Sequence, residues 1–85
     1  MRERERNYRG ISARAAAGYL ENLGGERIDD GTVEGDGWRV SLSSEKVNAA
    51  GSIWLTEVTA AFEGDPGVLD DVIEQFSRKA IRAGG

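Results

Sequence analysis

The sequence predicts an α+β domain in which an antiparallel sheet carries two helices on one face. Three observations lead there. Apolar residues recur at helical spacing in two segments, one after Ser12 and one after Asp65. Between them, residues 26–63 change to an alternating period interrupted by turn dipeptides, and a short extended segment precedes the first helix. With 85 residues the chain can bury one small core, so its function must sit on the surface of a single domain.

Residues 1–6 alternate Arg2, Arg4 and Arg6 with Glu3 and Glu5 and carry no apolar partner after Met1, which reads as a mobile, self-neutralising extension ahead of a domain at 7–85. Tyr8 and Ile11, on either side of Gly10, mark a first short strand. Ser12 then supplies a hydroxyl for the free N–H groups of a helix built on Ala13, Ala16, Ala17, Leu20 and Leu23, and Gly24 stops it. The turns Asp30-Gly31, Asp36-Gly37 and Ala50-Gly51 divide the middle into a meander of hairpins. Trp38, Val40 and Leu42 alternate with Arg39, Ser41 and Ser43, which gives that strand one buried and one wetted face. In the next strand, Trp54, Thr56, Val58, Ala60 and Phe62 form the face expected against the helices. The last helix has Asp65 as its cap, Pro66 at its first position, and an apolar face of Val68, Leu69, Val72, Ile73, Phe76 and Ala80. It should run to about Ile81 or Arg82.

Composition removes most catalytic templates. The chain has no histidine and no cysteine, so thiol nucleophiles, disulfides, imidazole or thiolate zinc sites and the usual neutral-pH acid and base are missing. The formal charge of -4, from 15 acidic and 11 basic residues, opposes binding to a phosphate backbone. The opening residues hold no apolar signal or anchor segment, so a cytoplasmic protein with no membrane attachment is expected.

Short motifs add little chemistry. Ser43 to Lys46 fits Ser-x-x-Lys, but the accompanying motifs of that mechanism are missing, and a polar turn is the better reading. Asp30, Thr32, Glu34 and Gly35 imitate the start of a calcium loop whose twelfth position is Ser41 instead of glutamate, so no metal is assigned. The pairs Asp29-Asp30 and Asp70-Asp71 are neighbours whose side chains diverge, and the glycine clusters are turns. No cofactor is expected.

Three sets of residues remain as candidates. Trp38 and Trp54 offer an aromatic groove for a small ligand, although their alternation fits core packing better. Arg78, Lys79 and Arg82 offer a basic patch for docking an acidic partner, or simply a solvated helix end. Gly84-Gly85 is a C-terminal diglycine, the group through which ubiquitin-like carriers are activated, but a capped helix leads into it where those carriers use an extended tail.

Taken together, Tyr8-Arg9-Gly10, Asn22-Leu23-Gly24-Gly25, Gly37-Trp38-Arg39, Leu55-Thr56-Glu57-Val58 and the stretch from Phe76 to Gly85 resemble the C-terminal domain of MoaD-related proteins. In those proteins a ubiquitin-like sulfur carrier of molybdopterin synthesis is followed by this domain of unknown function. The resemblance implies a TBP-like fold of order β-α-β(4)-α, and a sulfur-carrier protein or its activating enzyme as partner. The leading expectation is a non-enzymatic interaction domain beside such a system. The alternatives are a sulfur carrier or modifier acting through Gly84 and Gly85, and a small-ligand module.

Overall fold

The computed structural model describes residues 2–84, and the side chains of residues 3–81. Its elements run β1 (Arg2–Arg9), α1 (Ala13–Asn22), β2 (Glu26–Asp29), β3 (Thr32–Gly35), β4 (Trp38–Ala50), β5 (Ile53–Gly64) and α2 (Pro66–Gly84). The order is β-α-β(4)-α, as expected. One antiparallel sheet has the strand order β1-β5-β4-β3-β2. The chain closes it by returning β5 to the side of β1, so the N-terminal strand becomes an edge.

The helices begin and end where local chemistry predicts. Ser12 Oγ accepts from the Ala15 N–H at 3.0 Å, and Asp65 Oδ1 accepts from the Gly67 N–H at 2.9 Å. At the end of α1, Gly24 N–H donates to Glu21 O at 3.0 Å and Gly25 N–H to Leu20 O at 3.1 Å, with Gly24 at φ 98°. This paired bonding satisfies carbonyls that the helix itself leaves open. The hairpin turns at Gly37 and Gly51 have φ of 84° and 56°, which a side chain would resist.

Both helices lie on one sheet face. α1 contacts α2 and β4, while α2 contacts β1 and β5. Between the layers sit Leu20, Val33, Val40, Val58, Ala60, Phe62, Leu69 and Phe76, all fully buried or nearly so. Phe76 is the hub of an aromatic cluster, meeting Tyr8, Phe62 and Tyr19 edge-on at centroid distances of 5.0, 5.8 and 6.2 Å. Burial pushes the Tyr8 phenol above its ordinary value of 10.0, an effect partly offset by its 2.8 Å hydrogen bond with Ser77 Oγ.

Two expectations are corrected here. Arg2 to Arg6 are not an extension outside the domain: they belong to β1, which pairs with β5 from Arg2 opposite Gly64 to Arg9 opposite Glu57. An edge strand draws its stability from backbone hydrogen bonds, and its alternating charges suit a half-wetted position, so an apolar pattern was not required. Arg4 also reaches Asp70 on α2 at 3.2 Å. The second correction concerns Trp54, which is 59% exposed instead of packed beneath the helices. The β4–β5 hairpin continues past the last pair of β1 and past Ser41, the last β4 residue paired with β3, so its outer part has no layer above it. The molecule measures 42 × 22 × 20 Å, the length of that hairpin accounting for its elongation.

α2 also runs further than expected, through Gly84. Among the described residues no helix is long and apolar enough to cross a membrane.

Candidate functional site

The sheet face opposite the helices carries no covering element among the described residues, and strand register fixes what it displays. One row crosses all five strands: Glu26, Glu34, Arg39, Glu63 and Glu3 stand directly opposite one another in turn. Four of those five are carboxylates. The next row reads Thr32, Ser41, Ala61 and Glu5, and the one beyond it Ser43, Thr59 and Asn7. A further row holds Glu45, Glu57 and Arg9. A floor of mostly small, hydroxyl-bearing side chains, with Glu5 at its β1 end, thus lies between two charged borders.

This arrangement costs stability. Glu3 faces Glu63, Glu26 faces Glu34, and Glu45 faces Glu57, each a like-charge cross-strand pair of the kind that destabilises a sheet. The two arginines relieve only part of it. Arg39 Nη2 lies 2.8 Å from Glu34 Oε2, and Arg9 Nε lies 3.0 Å from Glu57 Oε2, while Glu3, Glu26, Glu45 and Glu63 have no ion pair among the described residues. Thr59 donates to Asn7 Oδ1 at 2.9 Å, which holds the floor of the trough in place. A depression of about 270 Å³ opens where Glu3, Glu5, Arg39, Ser41, Ala61 and Glu63 meet. The carboxylates are spread along the strands, and among the described residues no group of three or more is placed to hold a metal ion.

The residues singled out in the sequence fall elsewhere. Trp38 is 6% exposed, and its indole fills a slot beside Gly25 and Gly35. Trp54 stands at the other end of the hairpin. Trp38 pairs with Gly64 and Trp54 with Asn48, so ten residues of ladder, about 33 Å, separate the two indoles, and they do not share a groove. Arg78 is exposed and ion-paired with Glu74 at 2.6 Å, and Lys79 is exposed beside it. Arg82 belongs to α2, but its side chain lies outside the described residues. Gly84 is the last helical residue, and Gly85 lies outside the described residues. Ser43 and Lys46 lie within β4 instead of in the polar turn expected for them, and Lys46 Nζ donates to Thr56 Oγ1 of its cross-strand partner at 2.8 Å.

The outer face itself was not singled out from sequence. Its signal was present in the polar half of each alternating strand, Arg39-x-Ser41-x-Ser43 and Glu57-x-Thr59-x-Ala61-x-Glu63. Those residues become a surface only through register, which brings Glu3 and Glu63 together across sixty positions of chain.

By class, then, this is an α+β sandwich of two layers, with helices on one side of an antiparallel sheet and an acidic, uncovered sheet face on the other. The chain belongs to the family described as archaeal MoaD-like protein, which matches it over residues 4–85. No curated protein matches the chain.

Proposed function

We propose that the protein is a non-catalytic interaction domain that acts beside a sulfur-carrier or molybdopterin system and docks a basic protein surface on its outer sheet face. The observation that carries this reading is the row Glu26, Glu34, Arg39, Glu63 and Glu3. Selection for stability alone would not set carboxylates opposite carboxylates, whereas a partner rich in lysine and arginine would neutralise them on docking. Membership of the MoaD-like family supports the choice of system. Gentle lysis and pull-down with the wild-type chain should recover a sulfur carrier or its activating enzyme. A Glu3→Lys/Glu63→Lys variant should lose it, and recovery of neither partner by the wild type would count against the proposal.

A second reading is favoured by one observation: the family match runs through Gly85. The protein would then itself be the carrier, activated at the carboxylate of Gly85. Against it stands the continuation of α2 to Gly84, which leaves little extended chain for an activating site. Incubation with ATP and the cognate activating enzyme decides it. An intact mass raised by adenylation, or by exchange of oxygen for sulfur, supports the carrier, and an unchanged mass removes it.

A further inference from the structure

We propose that two copies of the chain pair edge to edge through the outer part of β4, in antiparallel register about Val47. Among the described residues the sheet has four free edge segments, and three are guarded: on β5 only Ile53–Thr56 extends past the last pair with β1, and Gly10 N–H already donates to Thr56 O at 3.0 Å. β1 presents alternating arginine and glutamate, and β2 is only four residues long with an irregular register between Arg27 and Asp29. The fourth is the side of β4 beyond Ser41, where pairing with β3 stops while the strand continues to Ala50. Leu42 N–H donates outward to Gly31 O at 2.6 Å. By the two-residue alternation of a strand, the N–H and C=O groups of Ser44, Lys46 and Asn48 therefore also point outward, with no strand beside them.

The side chains restrict what can bind there. A copy centred on Lys46 would set lysine opposite lysine, and one centred on Glu45 would set glutamate opposite glutamate. Centring on Val47 avoids both: Lys46 faces Asn48 of the second copy, Glu45 faces Ala49, and the outward backbone groups of Lys46 and Asn48 exchange hydrogen bonds. On the outer face, Val47 already stands opposite Leu55. The pairing therefore creates a row of Leu55, Val47, Val47 and Leu55 across the two copies. Ile53, 58% exposed, flanks each end of that row. The edge from Ser44 to Ala50, regular as far as Asn48 and shifted in register between Asn48 and Ala50, is about 23 Å long and buries at most on the order of 1,000 Å² in total, the lower end of specific interfaces. The dimer should accordingly be reversible and concentration-dependent.

Val47 would form a pair without direct backbone hydrogen bonds, in which the Cα atoms approach to about 4.5 Å, within disulfide range. Since the chain has no cysteine of its own, Val47→Cys introduces a single reporter. Under mild oxidation it should form a disulfide-linked dimer at least about tenfold faster than Ser52→Cys at the hairpin tip. Light scattering of the wild type should show a mass rising toward twice 9.2 kDa as concentration increases. Lys46→Pro, which removes an outward N–H and the side-chain bond to Thr56 but no backbone bond of the β5 ladder, should stay monomeric with an unchanged circular dichroism spectrum, and Lys46→Ala, which loses the same side-chain bond but keeps the N–H, should still dimerise. A wild type that remains monomeric to about 1 mM, or a Val47→Cys chain that cross-links no faster than Ser52→Cys, overturns the proposal.

Discussion

The indole of Trp38 folds over Gly35, its partner across a two-residue turn, and an added Cβ at Gly35 would land inside the ring. Gly35→Ala should therefore cost about 1–3 kcal/mol in urea unfolding, the range for overpacking a filled site. Tyr8 makes a second residue-scale prediction. Its phenol is held above 10.0 by burial, so the unfolded chain loses this proton first as the solution becomes alkaline. The stability it contributes is whole below pH 10 and declines as pH rises from there through the folded value. Tyr8→Phe should remove that part of the alkaline decline and, by deleting the bond to Ser77, cost roughly 1 kcal/mol at neutral pH.

At the scale of elements, α2 has the most clearly written signals and the largest structural role. Its cap and its buried face are independent determinants. Asp65→Ala should cost about 1 kcal/mol, whereas Phe76→Ala, which empties the centre of the aromatic cluster, should cost about 3–5 kcal/mol; denaturant titration separates the two. The β4–β5 hairpin behaves differently along its length. Near Phe62 and Val40 it is core, and near Trp54 it is solvated, because the helices and the flanking strands end before it does.

Over the whole molecule, the two faces differ in how their charge is balanced. On the helical side Arg4 and Arg78 are paired with Asp70 and Glu74, while the outer sheet face sets more carboxylates than its two arginines, Arg9 and Arg39, can pair. Glu3→Gln relieves the contact with Glu63 and should raise stability by about 0.2–1 kcal/mol while weakening capture of a basic partner. Thermal unfolding and pull-down on the same variant test both halves. A gain in stability together with undiminished capture would detach the face from function.

The sequence by itself determined the elements, their order and most of the core, because caps, turn glycines and periodicity are local and each is written within a few residues. Ser12, Asp65, Gly24 and the alternation Trp38, Val40, Leu42 all sit where their chemistry predicts. Only the tertiary structure decided the fate of Arg2 to Arg6, of Trp54 and of the outer glutamates. A charged segment becomes a strand when β5 offers it an edge, an aromatic residue becomes surface when the layer above it stops, and scattered glutamates become one acidic row when five strands fall into register. Each depends on pairing between residues far apart in the chain, which no local pattern records.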